Sequence, residues 1–124
     1  MKKILILLIG ILFFASESCV QKSYTRTLVI TLKVTDKKDI KTVGIRGEGK
    51  PLSWDKDFEM IPVVKDSLYT ATITTITGYK FTDIKFTVNG DLELKSKPNR
   101  KLIFSNKDTT FYNVTFDSVP PTTP

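Results

Sequence analysis

From Leu28 onward the apolar residues recur at every second position and never settle into a helical period. Leu28, Ile30, Leu32 and Val34 alternate with Val29, Thr31, Lys33 and Thr35, which puts one strongly apolar face on a strand. The pattern resumes over 42–46, closed by Gly44 and Gly47, and again over 60–64 and 68–75 around a polar turn at 65–67. In the last of these Tyr69, Ala71 and Ile73 share a face. Over 81–88, Ile84, Phe86 and Val88 point one way, Lys85 and Thr87 the other. Asn89-Gly90 then supplies the two residues that tolerate positive φ in a tight hairpin, with 92–95 as the expected return strand. Residues 102–104 and 111–116 complete the set, with Tyr112, Val114 and Phe116 on one face.

Turn signals roughly every 8–12 residues between seven or eight short strands predict an all-β chain, an immunoglobulin-like antiparallel β-sandwich. With 124 residues there is room for one domain. We expect it to occupy 27–118, after a tether at 19–26 and before a disordered Pro/Thr tail at 119–124, where Pro120, Pro121 and Pro124 cannot join a ladder. A loop over 48–58 interrupts the strands and holds Gly49, Pro51 and the chain's single Trp, Trp54.

Composition restricts the chemistry. The chain has no histidine, which excludes a Ser-His-Asp or Cys-His relay and His-ligated zinc or haem. Its one cysteine cannot form an internal disulfide framework or a four-cysteine metal site. Asp55, Asp57 and Glu59 have the spacing of a calcium-loop start, but Met60 stands where that loop turns on Gly. Pairing Asp55, Glu59, Asp91 and Glu93 as glycosidase carboxylates would need a substrate cleft that so small a domain scarcely offers. Neither enzymatic activity nor a cofactor is expected.

The N-terminus reads as an address. Lys2 and Lys3 precede an apolar run over 4–14 of signal-peptide length, short of the roughly 20 residues a membrane-spanning helix needs. Small Ser16 and Ser18 fit a signal-peptidase cut before Cys19. The same Ser16-Glu17-Ser18-Cys19 segment resembles the relaxed lipobox of Bacteroidetes lipoproteins, which implies a signal peptide over 1–18 and acylation of Cys19. The expectation is an outer-membrane lipoprotein, facing the periplasm because no acidic run follows Cys19. Without Lys2, Lys3 and Glu17 the formal charge of +6 becomes +5, from 17 basic and 12 acidic side chains. Lys95, Lys97, Arg100 and Lys101 are the densest basic cluster, read as a solvated face. Aromatic residues do not interleave with these bases as a stacking platform requires, so nucleic acid is not an expected partner.

One ordered set of short motifs points to a ligand. Val43-Gly44-Ile45-Arg46-Gly47 is followed by Leu52-Ser53-Trp54-Asp55, then the strand from Leu68 to Ile73, then Ile84-Lys85-Phe86, and finally Lys97-Pro98-Asn99-Arg100. In that order and spacing the chain resembles a starch-binding domain of the family 20 carbohydrate-binding modules and the related glycogen-binding modules. The resemblance implies a non-catalytic module for an α-glucan or related oligosaccharide. It implies that Trp54 stacks on a glucose ring while Lys85 and Asn99 donate hydrogen bonds to sugar hydroxyls. A flat aromatic face suits the C–H face of a pyranose, and fixed polar groups read its hydroxyls. Each residue also has a structural reading: Trp54 as a lid on the sandwich end, Lys85 as a solvent-facing sheet lysine, Asn99 as a turn residue. The family's usual second Trp falls here on Leu94, which offers area without a π-face. That departure supports an alternative, an envelope lipoprotein of the same fold that has lost sugar binding and docks on a protein partner.

Overall fold

A computed structural model describes residues 22–120. The expected signal peptide and Cys19 lie outside the described residues, as do residues 121–124. Nine strands form two sheets: β1 Tyr24–Lys33, β2 Val43–Gly47, β3 Phe58–Glu59, β4 Ile61–Val64, β5 Leu68–Thr77, β6 Phe81–Val88, β7 Asp91–Leu92, β8 Arg100–Ile103 and β9 Thr109–Thr115. One sheet has the order β4-β5-β1-β9; the other runs β3-β2-β6-β7, with β8 also paired to β6. Their inner faces meet in a core whose alternation matches the sequence. Leu28, Ile30 and Leu32 of β1 face Tyr69, Ala71 and Ile73 of β5 on one side, and Ile45, Ile84, Phe86 and Leu102 close the other. Full burial of each Leu, Ile or Phe among them contributes about 1.5–3 kcal/mol.

Several expectations need correction. The sandwich is not wholly antiparallel: β9 runs parallel to β1, from Thr27↔Thr109 to Lys33↔Thr115. A parallel neighbour arrives through the other sheet, so no local turn signals it. Among the described residues the count is nine strands, because β3, Phe58–Glu59, forms at the end of the expected loop, and the expected strand at 60–64 is β4, Ile61–Val64, with the buried Met60 between the two. β1 starts at Tyr24, inside the expected tether, and pairs with β5 along its whole length from Tyr24↔Thr77 to Lys33↔Leu68. The return strand at 92–95 is only Asp91–Leu92, since Leu94 and Ser96 adopt left-handed φ of 52° and 62° and take the chain off the ladder. The Asn89-Gly90 hairpin forms as expected, with φ of 51° and 81° at its two central residues.

Candidate functional site

On the outer face of the five-stranded sheet, β2 presents Gly44 and Arg46, and β6 presents Lys85 and Thr87 opposite them. The chain after the Trp54 loop folds down onto this face through Asp57. Its carboxylate takes a 2.7 Å ion pair from Arg46 Nε and a 2.9 Å hydrogen bond from Thr87 Oγ1. Gly44 makes this possible, because a Cβ there would stand 2.6 Å from that of Asp57. The opposite side of the face is covered by the segment after β7. Lys85 Nζ donates to the carbonyls of Leu94 and Lys97, each at 2.9 Å.

The row Asp57–Arg46–Lys85 therefore has the Trp54 loop on one flank and the 94–99 segment on the other. Of the three sequence-derived residues only Lys85 lies on a strand, β6; Trp54 sits on the loop between β2 and β3 and Asn99 just before β8, and their side chains have different circumstances. Trp54 is half-buried, and its indole N–H donates to Glu48 Oε1 at 3.2 Å. Asn99 is exposed beside Pro98. Lys85 is only 7% exposed, and its ammonium is engaged with the two carbonyls. The solvent-facing reading of Lys85 fails because alternation gives the face a side chain occupies and says nothing of what covers that face. Leu94 is buried as well, at 1%, with its N–H donating to Asp117 Oδ1 at 2.8 Å.

The loop bearing Trp54 is firmly held. Leu52 is buried over Gly47, where a Cβ would meet its Cδ1 at 3.1 Å. Thr75 Oγ1 donates to the Lys50 carbonyl and Thr82 Oγ1 to that of Glu48, both at 2.8 Å, tying the loop to both sheets. Asp55 N–H donates to Ser53 Oγ at 3.1 Å, closing the turn around Trp54. A rigid aromatic on a pinned loop loses little conformational entropy when something stacks on it.

Beside this loop, between the ends of the two sheets, lies a cleft of about 260 Å³. Leu28, Leu52, Ile73 and Phe104 form its floor, while Glu48, Ile76, Tyr79 and Phe81 stand around it. Glu48 links it to Trp54. Sequence reasoning missed this cleft, whose lining comes from four separated stretches; the one local signal was the set of Ile76, Tyr79 and Phe81 around a Gly turn.

Sequence reasoning also misread Arg100. Counted with the basic cluster as part of a solvated face, it is 1% exposed and bound to Glu93 in the interior. Burial disfavours its charge, but hydrogen bonds and charge attraction from Glu93, with Tyr112, outweigh that and raise its pKa above the ordinary arginine value. Among the described residues no cluster of three or more Cys, Asp or Glu side chains could hold a metal ion. No protein-family model and no curated protein matches this sequence.

Proposed function

We propose that this β-sandwich is a non-catalytic carbohydrate-binding module, anchored in the bacterial envelope through an acylated Cys19 and directed at α-glucan or a related oligosaccharide. The observation that carries the reading is Trp54: a half-buried indole on a loop tied to both sheets, with its N–H oriented by Glu48. Asn99, exposed just before β8, supplies an amide for sugar hydroxyls. Lys85 acts by holding the 94–99 segment in place and leaves direct contact with the sugar to Trp54 and Asn99. With a single aromatic platform the affinity falls at about 0.1–1 mM, or about −4 to −5.5 kcal/mol. Titration of the purified chain with maltoheptaose and cyclodextrin tests this, because all tryptophan emission comes from Trp54. Failure to change that emission up to about 10 mM, corresponding to about −2.7 kcal/mol, overturns the α-glucan reading.

A specific observation favours a second reading. The Lys85 ammonium is engaged by Leu94 and Lys97, and Leu94 is buried where a second stacking aromatic would need to be open. On that reading the fold serves as a protein-interaction module of the envelope. Retention of a protein partner by the wild-type chain and by Trp54→Ala alike, with no retention on starch, distinguishes it.

A further inference from the structure

The cleft lies at the end of the sandwich where the chain enters β1. Tyr24 pairs with Thr77, and both Thr77 and Leu28 line the cleft. Its lining includes large exposed apolar side chains, Ile76 at 73%, Tyr79 at 70% and Phe81 at 40%, and exposed Tyr24 and Ile103 pair with the lining residues Thr77 and Phe81. Each flank of this rim carries a cation on an aromatic ring. Lys101 Nζ is 4.2 Å from the Phe81 ring centre, and Lys22 Nζ is 5.7 Å from that of Tyr24. Lys80 lies exposed between Tyr79 and Phe81. Aromatic rings interleaved with lysines are the side-chain mixture suited to the headgroup region of a bilayer, where one end is apolar and the other wet.

Covalent reach gives an independent constraint. Cys19 precedes Tyr24 by five residues, so a fully extended chain spans at most about 18 Å between them. An acylated Cys19 therefore keeps this end of the sandwich within about that distance of the lipid. The opposite end, with the Asn89-Gly90 hairpin and the turn at 65–67, lies a strand length further away.

We propose that this end of the sandwich rests on the bilayer surface, with Ile76, Tyr79 and Phe81 at headgroup depth and Lys22, Lys80 and Lys101 against lipid phosphates. The placement rests on the anchor proposed above and is independent of sugar binding at Trp54. Residues 22–120 hold both sheets and the whole described core, so a chain beginning at Cys19 retains all of their contacts.

The test couples the unacylated chain, through its lone cysteine thiol, to a maleimide lipid in vesicles of phosphatidylglycerol and phosphatidylcholine. Amide hydrogen exchange over 76–82 is expected to slow relative to the same chain capped with N-ethylmaleimide in solution. The slowing should be smaller on phosphatidylcholine alone. It should be lost in Ile76→Ser/Tyr79→Ser, whose exposed positions leave the core intact. Unchanged exchange on tethering overturns the proposal. So does slowing without vesicles that grows with protein concentration, which marks a second copy, or slowing on adding maltoheptaose without lipid, which marks a glycan cleft. Chemical coupling supplies the anchor, so the outcome does not depend on whether Cys19 is acylated in the cell.

Discussion

Arg100 holds the carboxylate of Glu93 through two hydrogen bonds, Nε to Oε2 at 2.7 Å and Nη2 to Oε1 at 2.9 Å, with both side chains sealed from solvent. The pair joins three parts of the fold. Glu93 also accepts from the Phe86 and Asp117 N–H groups at 3.0 and 2.9 Å, and Arg100 Nη2 donates to the Thr115 and Ser118 carbonyls at 3.0 and 2.9 Å. Strands β6, β8 and the end of β9 thus meet at one charged contact.

Removing one partner leaves a buried, uncompensated charge. Arg100→Met should cost about 3–5 kcal/mol in urea unfolding, a large share of a typical domain's total. Glu93→Leu/Arg100→Met should cost less than either single change. A double variant as unstable as the sum of the singles would show that the two act separately.

The raised pKa of Arg100 sets the sign of its pH response. A base whose folded pKa lies above its unfolded value contributes fully below the unfolded value, and loses that contribution only as pH rises through the folded one. The stability difference between wild type and Glu93→Leu/Arg100→Met, which leaves no unpaired carboxylate behind, should therefore stay constant from neutral to mildly alkaline solution. Urea midpoints for both proteins at several pH values measure it.

Lys85→Met deletes the two bonds to Leu94 and Lys97. The Lys97 carbonyl then loses its donor while that of Leu94 keeps only the Lys97 N–H at 3.0 Å, which should cost about 1–3 kcal/mol and speed amide exchange over 94–99. Normal exchange there would mean that the segment is held by other contacts.

Gly44→Ala places a methyl carbon 2.6 Å from Asp57 Cβ and 2.9 Å from Thr87 Oγ1. Asp57 must move, weakening its ties to Arg46 and Thr87, and a loss of about 1–3 kcal/mol is expected. Because this loop also carries Trp54, its emission spectrum should shift. Unchanged stability and emission would mean that the loop accommodates the methyl without moving.

Trp54→Ala should abolish retention on insoluble starch and, because the side chain is half-buried, lower the unfolding midpoint by less than loss of a core aromatic would. Glu48→Gln, which alters the partner of the indole N–H, should shift Trp54 emission without unfolding the chain. Cys19→Ser should move the protein from the membrane to the soluble fraction. Continued membrane association would argue against acylation at that residue.

Much of the sandwich was legible because strand alternation is a local property. Leu28, Ile30, Ile73 and Phe86 are buried where period two places them, and Asn89-Gly90 turns where its tolerance of positive φ allows. The pairing of β1 with β9 was not legible, since the two strands are far apart in sequence and share no turn. Leu94 was equally opaque: a non-glycine residue at positive φ carries no local signal, and its burial depends on Asp117 arriving from beyond β9. Of the candidate site, the sequence indicated Trp54, Lys85 and Asn99 but could not distinguish the available side chains from the committed one.

By itself the sequence determined the strand faces, the hairpin at Asn89-Gly90, the absence of imidazole chemistry and the presence of one Trp on a loop between strands. Tertiary structure alone decided that Lys85 and Arg100 are spent inside the protein and that an apolar cleft opens where β1 begins. The reason is physical. Alternation fixes the direction of each side chain, whereas the availability of its polar atoms depends on which distant backbone carbonyls and carboxylates the fold brings within about 3 Å.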